Sequence, residues 1–539
     1  MAIVAGVDFG TLSVRVTLMD SVDGSVLAGA SANYELKRSA AVPLMGAQSH
    51  DDHMAGLVSA MHDALQKAGI SGSEVRALAI DTTGSSVVMV DKHLKPLADY
   101  YLWCDHQAHE EAREITRLGQ SEGLEALRWC GGTYSHEWGF AKVLHFLRNN
   151  TDKRADFYTA LEHCDMVAAT LCGITQLNEL PRSLCGAGHK WMYGKRWGGL
   201  PPQEFFSRID PLFDGIIEKM AGRYLASDSI AGHLSKEWAE KLGLEAGIPI
   251  PIGALDAHWD AIGSGGQPGD VVNVIGTSTC IISMGPADFE PVAGLCGVAA
   301  DSVVPGFAGI EAGQSATGDV FSAIAKRASS DVGTLCTGIE NFAPCQTGLL
   351  RLNWDNGDRT VLVRSDLSGV TLGWDLNHEA RDELHAAIEG MALHVRIIID
   401  RMREGGLKPH RIVNAGGIPQ KNDVLNQIYA DVLNTEVHVP SVSPVGTGSC
   451  IFAAVAAGLH PDIASAQRFM APSARIFYPR STHVAGYEEL FVLYREAYFG
   501  FGEGQPVDLP GLLAKLKAFR VAKGALVGTA LVHGHIIRD

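Results

Sequence analysis

The stretch VDFGTLSVRV at positions 7–16 and the stretch VIGTSTCII at positions 274–282 share one design, about half the chain apart. Each is an apolar strand that breaks at a glycine followed by hydroxyl residues, before a second strand begins. A glycine with free backbone N–H groups around it suits the wrapping of phosphate oxygens, because no large side chain blocks their approach. The repeat predicts two similar domains, each with one phosphate-binding turn.

The chain has 539 residues, which is too long for a single hydrophobic core and implies at least two domains. The glycine-rich stretch 263–269 has the composition of a hinge. We therefore expect an N-terminal domain over 1–264, a C-terminal domain over 265–508, and a tail over 509–539 that the sequence leaves unassigned.

Charge and hydropathy exclude several classes of protein. The formal net charge of −17 argues against a nucleic-acid or anionic-membrane surface, since phosphate contacts require clustered Lys and Arg. No apolar run approaches the ~18 residues of a membrane span, and the N-terminus lacks the pattern of a signal peptide. The ten cysteines form no CxxC pair, which favours reduced thiols and a cytoplasmic location.

Hydrophobic periodicity predicts an α/β architecture, because strands and amphipathic helices follow one another in both halves. In the second half a helix, a strand and a further helix precede a less legible C-terminal segment. The predicted strands are 3–7, 14–19, 26–30, 75–80, 271–275, 280–284 and 411–414; the predicted helices carry apolar stripes from Met54 to Leu65, from Leu384 to Met402, from Val424 to Leu433 and from Leu512 to Phe519.

Asp256 is the sharpest candidate for chemistry. It follows the apolar run 248–255 and precedes the predicted hinge, so a carboxylate there is well placed to accept a proton from a substrate hydroxyl. Position alone equally allows a helix N-cap, since a short helix can begin at this point. Both interpretations stay open at this stage.

Metal-site and other phosphate-site patterns are weak. Asp256, His258 and Asp260 would share a face only on a strand, and His106, His109 and Glu110 match no zinc signature. We therefore expect no dedicated zinc site. The sequence also lacks a P-loop, a complete Rossmann fingerprint and the Asp-x-Asp of phosphoaspartyl enzymes.

Together these segments resemble the FGGY carbohydrate kinases, and within that family the L-ribulokinases most. The resemblance runs from residue 3 to about residue 498 and implies two actin-like, ribonuclease-H-like ATPase domains with an interdomain cleft. It is carried by VDFG at 7–10, DTTGS at 81–85, WCDH at 103–106, GGTYSHEW at 131–138, AGHK at 187–190, GALDAH at 253–258, VIGTSTC at 274–280 and EAGQS at 311–315.

The resemblance also implies roles for individual residues. Asp256 matches the catalytic base, and Asp8 the carboxylate that places Mg²⁺ through water. The implied ATP-binding residues are Asp8, Thr11, Ser13, Arg15, Gly276, Thr277, Gly416, Gly417 and Asn422, and the implied sugar-binding residues are Gly84, Trp103, Asp105, Lys190, Asp256 and Glu311.

The implied activity is ATP- and Mg²⁺-dependent phosphorylation of a ketopentose, with L-ribulose converted to L-ribulose 5-phosphate. The alternatives are a kinase for D-ribulose, xylulose or ribitol, and a nucleotide-binding regulator without turnover. The expected partners are a sugar and ATP, and assembly as a homodimer is compatible with the sequence.

Overall fold

The computed structural model describes residues 2–42, 44–442 and 446–523. The strands are β1 (Ile3–Phe9), β2 (Ser13–Asp20), β3 (Val26–Asn33), β4 (Ala47–Gln48), β5 (Val75–Thr82), β6 (Val87–Val90), β7 (Tyr100–Tyr101), β8 (Thr159–Glu162), β9 (Pro181–Ser183), β10 (Arg223–Leu225), β11 (Ile230–His233), β12 (Pro249–Pro251), β13 (Ala254–Leu255), β14 (Val271–Ile275), β15 (Thr279–Gly285), β16 (Gly297–Ala300), β17 (Ala308–Gln314), β18 (Leu350–Leu352), β19 (Val370–Leu372), β20 (Ile412–Ala415), β21 (Val437–Pro440) and β22 (Ala474–Phe477).

The helices alternate with these strands along the described chain. They are α1 (His50–Ala68), α2 (His109–Glu122), α3 (Glu125–Trp129), α4 (Gly139–Asn149), α5 (His163–Cys172), α6 (Leu184–Lys190), α7 (Gln203–Ile209), α8 (Ile216–Lys219), α9 (Lys236–Leu242), α10 (Asp256–Gly263), α11 (Gly318–Arg327), α12 (Val332–Cys336), α13 (Ala380–Glu404), α14 (Asp423–Leu433), α15 (Thr447–Ala456), α16 (Ile463–Met470), α17 (Ser481–Glu503) and α18 (Leu509–Lys523).

The described residues form two compact units. Unit 1 contains the residues up to Pro268, the segment Ile282–Glu311 and the residues from Gly446 to Pro472; unit 2 contains the rest. The first crossing, after Pro268, falls in the glycine-rich stretch 263–269. The two later segments of unit 1 come from the second half of the sequence, so the units are discontinuous along the chain.

The main sheet of unit 1 has the strand order β13-β5-β1-β2-β3. The meander β1-β2-β3 is antiparallel, whereas β5 and β13 run parallel to β1. In this register Asp8 of β1 pairs with Asp81 of β5, and Asp81 pairs with Ala254 of β13. The carboxyl ends of three parallel strands therefore meet at one edge of the sheet, which is where ligand sites form in open α/β sheets.

Helix α1 covers one face of this sheet, as its apolar stripe predicts. Its N-cap Ser49 accepts a hydrogen bond from the backbone N–H of Asp52, and it ends at Gly69 in the left-handed region (φ 66°). Its buried residues include Leu57 and Met61, which pack in the core with the inward side chains of β1, β2 and β5. Helix α15 packs against β1 and β5.

Unit 1 holds a second, antiparallel sheet of order β4-β7-β6-β8, with its own core around α2, α4 and α7. Strand β7 leads into the loop that carries Trp103 and Asp105. Strands β16 and β17 form an antiparallel pair, and β17 carries Glu311.

In unit 2, β14, β20 and β21 are parallel neighbours, and β22 pairs antiparallel with β21. Helix α13 buries the predicted stripe and stops before Gly405, and it packs against α14. In α18, Leu512 and Leu516 are buried while Leu513 is 39% exposed, so the predicted apolar face is narrower than expected. Residues 524–539 of the unassigned tail lie outside the described residues.

Within residues 2–42, 44–442 and 446–523, no helix combines the length and the apolar character needed to cross a bilayer.

Gly6, in the middle of β1, allows a test of the packing between β1 and α15. A Cβ added at Gly6 would lie 2.5 Å from the carbonyl oxygen of Gly446 and 2.9 Å from Sγ of Cys450, at the start of α15. We expect Gly6→Ala to lower the free energy of unfolding by about 1–3 kcal/mol, the usual cost of overpacking. Urea denaturation measures this, with Gly29→Ala as the control, because a Cβ at Gly29 meets nothing closer than 3.8 Å. Equal stability of the two variants would contradict the prediction.

Candidate active site

The first glycine–hydroxyl turn joins β1 to β2 and is held from several sides. The backbone N–H of Gly10 donates to the carbonyl oxygen of Ser13 at 3.0 Å, and the hydroxyl of Tyr34 donates to the carbonyl of Gly10 at 2.5 Å. The Arg15 guanidinium donates to the Asp8 carboxylate at 2.9 Å. The turn is thus a rigid loop with one cation and one carboxylate beside it.

Trp103 lies next to this turn. Its indole Nε1 donates to Oγ1 of Thr11 at 3.0 Å, and 39% of the residue is exposed. Behind the turn, Nε2 of Gln48 donates to the carbonyl of Thr11 at 2.7 Å, and His53 bonds to Oε1 of Gln48 at 3.0 Å. Trp103, which the resemblance implies contacts the sugar, is therefore in direct contact with the predicted phosphate-binding turn within unit 1.

Four carboxyl groups influence one another at the strand edge of unit 1. Burial raises the pKa of Asp8 and raises that of Asp81 well above its usual range, and the negative charge of Asp8 adds to the effect on Asp81. Oγ of Ser449 donates to Asp81. The pKa of Asp260 is also raised well above its ordinary value, by burial first and then by Asp8 and Asp256. Asp8 and Asp81 therefore titrate as a coupled pair, and Asp8 is the member that the Arg15 guanidinium contacts.

Asp256 is the first residue of α10, directly after β13. The N-cap of this helix is Leu255, so the alternative that Asp256 is an N-cap is wrong. Its Oδ1 accepts a hydrogen bond from the backbone N–H of Ala257 at 2.6 Å. Burial, followed by the charge of Asp8, raises the pKa of Asp256 to about 7. Gly84 lies beside this point, because a Cβ there would be 3.1 Å from Cδ1 of Leu255.

Lys190 and Glu311 form a buried ion pair. The ammonium group donates to both carboxylate oxygens, at 2.9 and 2.8 Å, and both side chains are buried. Two histidines surround the same carboxylate, with Nδ1 of His189 at 3.6 Å and Nε2 of His258 at 3.8 Å. Glu311 and Lys190 also act electrostatically on Asp256, so the pair lies in the same region of unit 1.

Asp105 is buried, and its carboxylate already has partners. It accepts hydrogen bonds from the backbone N–H of Gly46 at 2.9 Å and from Nε2 of Gln107 at 2.8 Å. These contacts brace the loop that carries Trp103. Its contact with a sugar stays a prediction.

The second turn lies in unit 2, between β14 and β15. The N–H of Gly276 donates to the carbonyl of Ser278 at 2.8 Å, and the carbonyl of Thr277 accepts from the N–H of Thr317 at 2.8 Å. The backbone N–H of Gly318, at the start of α11, donates to the carbonyl of Gly276 at 3.0 Å. The turn is locally similar to the first, as the sequence repeat predicts.

The predicted adenosine segment runs beside that turn. Gly416 has φ 98°, and a Cβ there would lie 2.4 Å from the carbonyl of Ile275, so only glycine fits. Gly417 faces open space, since a Cβ there meets no atom within 4 Å. Asn422 is the N-cap of α14, with Oδ1 accepting from the N–H of Leu425 at 3.0 Å. Unit 2 thus brings Gly276, Thr277 and Gly416 together, while Asn422 has a structural role as a cap.

The donor set around Asp8 fits a magnesium ion. All the acidic groups of the strand edge offer oxygen, the ligand type that Mg²⁺ prefers. Burial raises the pKa of Asp8, Asp81 and Asp260, and a bound cation would favour their ionised forms. The sequence resemblance implies that Asp8 would hold the ion through water, and this stays a prediction.

The sequence pointed to some of these residues and missed others. Asp81 and His258 fall in segments that were singled out, but their charge coupling to Asp8 and Glu311 follows only from three-dimensional contact. Tyr34, Gln48 and Ser449 support the site without any motif of their own. An oxygen-rich strand edge beside a glycine–hydroxyl turn is the kind of arrangement that phosphoryl-transfer enzymes require, because they bind phosphates and a metal ion together.

Comparison with known proteins specifies that class. The model of the N-terminal domain of the FGGY family of carbohydrate kinases matches residues 3–176, and the model of its C-terminal domain matches residues 271–457. The chain belongs to the FGGY family of carbohydrate kinases. Kinases of this family use ATP with Mg²⁺.

Relatives and solved structures agree with this assignment. A ribulokinase from Shouchella clausii is 34% identical, covering 97% of this chain and 99% of the relative, and one from Geobacillus thermodenitrificans is 33% identical, covering 97% and 99%. The crystal structure of xylulose kinase from Rhodospirillum rubrum aligns with a TM-score of 0.81 at 21% identity, covering 93% of this chain and 99% of that one. The predicted fold of two actin-like, ribonuclease-H-like domains is confirmed.

The Lys190–Glu311 pair gives a test of this site. Lys190→Met leaves the buried Glu311 carboxylate without its ammonium partner, so we expect a loss of about 3–5 kcal/mol in the free energy of unfolding. The double variant Lys190→Met/Glu311→Leu removes both charges and should recover most of that loss. Urea denaturation of all variants measures the coupling.

The matched control is Lys195→Met. Lys195 pairs with Asp301 at 2.7 Å, but the lysine side chain is 63% exposed, so its loss should cost about 1 kcal/mol or less. The single variant Glu311→Leu completes the set. If the losses in the free energy of unfolding of Lys190→Met and Glu311→Leu add up to the loss of the double variant, the buried pair is not coupled.

Proposed function

We propose that this enzyme transfers the γ-phosphoryl group of ATP to a pentulose, with L-ribulose as the substrate and its C5 hydroxyl as the acceptor. The product is then L-ribulose 5-phosphate. The observation that carries the proposal is the position and acidity of Asp256, at the strand edge of unit 1 with a pKa raised to about 7. The nearly full-length similarity to proteins named ribulokinase supports the choice of sugar.

Asp256 serves as the general base. A base works best when its pKa lies near the working pH, because it is then ionised and still holds a proton well. An ordinary aspartate is too weak a base for this, and Asp256 gains strength from burial and from the nearby charge of Asp8. The carboxylate accepts the proton of the sugar hydroxyl as that oxygen attacks phosphorus.

The two turns handle the phosphates of ATP. Thr11 and Ser13 offer hydroxyl and backbone donors from unit 1, and Arg15 supplies positive charge next to Asp8. Gly276 and Thr277 contribute the equivalent turn from unit 2. Bound Mg²⁺ neutralises phosphate charge, which is most of what phosphoryl transfer requires beyond positioning.

The remaining predicted residues orient the two substrates. The segment with Gly416, Gly417 and Asn422 approaches adenosine from unit 2. For the sugar, Lys190 and Glu311 are a fixed donor and a fixed acceptor that can read neighbouring hydroxyls, and Trp103 gives an apolar wall. The remaining predicted sugar-site residues are Gly84 and Asp105. Buried, oriented polar groups of this kind discriminate strongly between sugars, because a sugar that lacks a matching hydroxyl leaves them unpaired.

Asp256→Asn tests the base. We expect kcat to fall about 10²–10⁴-fold with ATP affinity nearly unchanged, because only proton acceptance is removed. In the parent enzyme, kcat/KM should fall as the pH drops through about 7, where Asp256 becomes protonated. The residual activity of the variant should lack that acid limb.

Asp165→Asn is the matched control. Burial also raises the pKa of Asp165 to about 7, but its Oδ1 accepts from the backbone N–H of Ser183 at 2.8 Å, in a position that has no role in this mechanism. The folded control should keep both its kcat and the acid limb. An Asp256→Asn enzyme with full activity would remove this residue from the mechanism.

Substrate choice is decided by a coupled assay of ADP release with a panel of L-ribulose, D-ribulose, xylulose and ribitol. We expect the highest kcat/KM for L-ribulose. A higher value for another sugar would keep the kinase and replace the substrate, and no turnover with any sugar would favour a nucleotide-binding regulator.

A further inference from the structure

A cluster of histidines lies in unit 1, in two loops next to the segment of Trp103. His106 lies just before α2, which begins at His109, while His136 and Glu137 lie just before α4. The ring of His136 is 4.7 Å from that of His106 and 4.1 Å from that of His109, between centroids. Nε2 of His106 is 3.8 Å from Oε1 of Glu137.

The cluster has polar atoms without a hydrogen bond. Nε2 of His106 and Nε2 of His136 are both enclosed by protein and make no hydrogen bond to any residue that the structure describes. An enclosed nitrogen of this kind costs about 1–3 kcal/mol. An imidazole nitrogen that makes no hydrogen bond can bind a metal ion through its lone pair.

We propose that His106, His136 and Glu137 bind a zinc ion. One ligand atom from each residue lies within 4.8 Å of the others. Tetrahedral Zn²⁺ with bonds of about 2.0–2.1 Å needs its ligand atoms about 3.3 Å apart, so ligand atoms that lie up to 4.8 Å apart must approach one another by up to about 1.5 Å. Two imidazoles and one carboxylate are a zinc-binding set, and Mg²⁺ prefers oxygen alone.

The ion joins two loops that are otherwise separate in sequence. Its fourth position is left to water, since the ring of His109 packs at a tilt against His136 and His109 is not part of the group of three. The loop with His106 also carries Trp103, so the ion would stiffen the segment of this implied sugar-binding residue. The sequence predicts no zinc site here, because His106, His109 and Glu110 match no zinc signature. In the structure Glu110 binds Arg113 at 2.6 Å, and the acidic member of the cluster is Glu137.

Zinc content tests the proposal without reference to kinase activity. The full-length protein is stripped with a chelator, exposed to Zn²⁺ in an excess of Mg²⁺, dialysed and measured by elemental mass spectrometry and by isothermal titration calorimetry. We expect one zinc ion per chain. Co²⁺ in its place should give the intense visible absorption of a four-coordinate site.

Variants locate the ion. His136→Asn and Glu137→Gln should each weaken zinc binding by about 100-fold or more, since loss of an outer-shell partner alone costs about 10–100-fold. His93→Asn, at an exposed histidine, is the control and should bind zinc as the parent does. Circular dichroism checks the folding of each variant.

Three results would overturn the proposal: no zinc retained by the parent protein, displacement of zinc by Mg²⁺, or undiminished binding in both His136→Asn and Glu137→Gln. The first of these needs no variant, so a misfolded mutant cannot hide the answer. Retained zinc with a Co²⁺ spectrum that changes only in His136→Asn and Glu137→Gln supports it.

Discussion

The register of three parallel strands places acidic side chains close together in unit 1, and their mutual repulsion is the constraint on which the surrounding structure depends. Because Asp8 pairs with Asp81 and Asp81 pairs with Ala254, the chain brings acidic side chains to one edge of the sheet. Carboxylates so close to one another, and enclosed by protein, cannot all be ionised. In the structure a guanidinium contacts Asp8 and a hydroxyl donates to Asp81, and the pKa values of Asp8, Asp81 and Asp260 are all raised. Burial, and then the charge of Asp8, raises the pKa of Asp256 to about 7 in this setting.

Such an arrangement lowers stability, and the rest of the unit compensates for it. Buried carboxylates that repel one another are unfavourable in the folded protein, as is usual where function stores strain. Strand β1 is buried along its whole length, and α15 approaches so closely at Gly6 that no side chain fits between them. The acidic edge therefore sits on a rigid apolar sheet. That rigidity keeps the carboxyl groups from moving apart into water, which would return their pKa values to normal.

Local features of the fold could be predicted from the sequence, and long-range ones could not. Residues close together along the chain determine the two glycine–hydroxyl turns. They also determine the apolar stripe of α1 and the end of this helix at Gly69. The pairing of Lys190 with Glu311 joins positions 121 residues apart, and nothing in either segment indicates that separation. The same holds for Ile282–Glu311, which belongs to unit 1 although its neighbours on both sides belong to unit 2.

Asp256 shows where a local pattern was ambiguous for a physical reason. A carboxylate at the start of a helix serves equally well as a cap or as a reactive group, and both uses favour the same short polar residue. The backbone decides between them, because Leu255 takes the capping position and moves Asp256 into the first turn. There the carboxylate keeps one hydrogen bond, to the N–H of Ala257, and its other oxygen remains available to a substrate.

Two clusters in the described part of unit 1 that combine two histidines with a glutamate show that ligand atoms alone do not make a metal site. His189, His258 and Glu311 offer the same donors as His106, His136 and Glu137, at similar distances. In the first cluster the Lys190 ammonium already binds both oxygens of the carboxylate, so a divalent cation would have to displace a buried positive charge. In the second, the Glu137 carboxylate lies 3.8 Å from His106, another member of the same cluster. Lys190 thus occupies the carboxylate that a metal ion would need in the first cluster, and leaves an ion pair there. The carboxylate of the cluster beside Trp103 has histidines as its neighbours in the cluster, so this cluster keeps the ability to bind a metal ion.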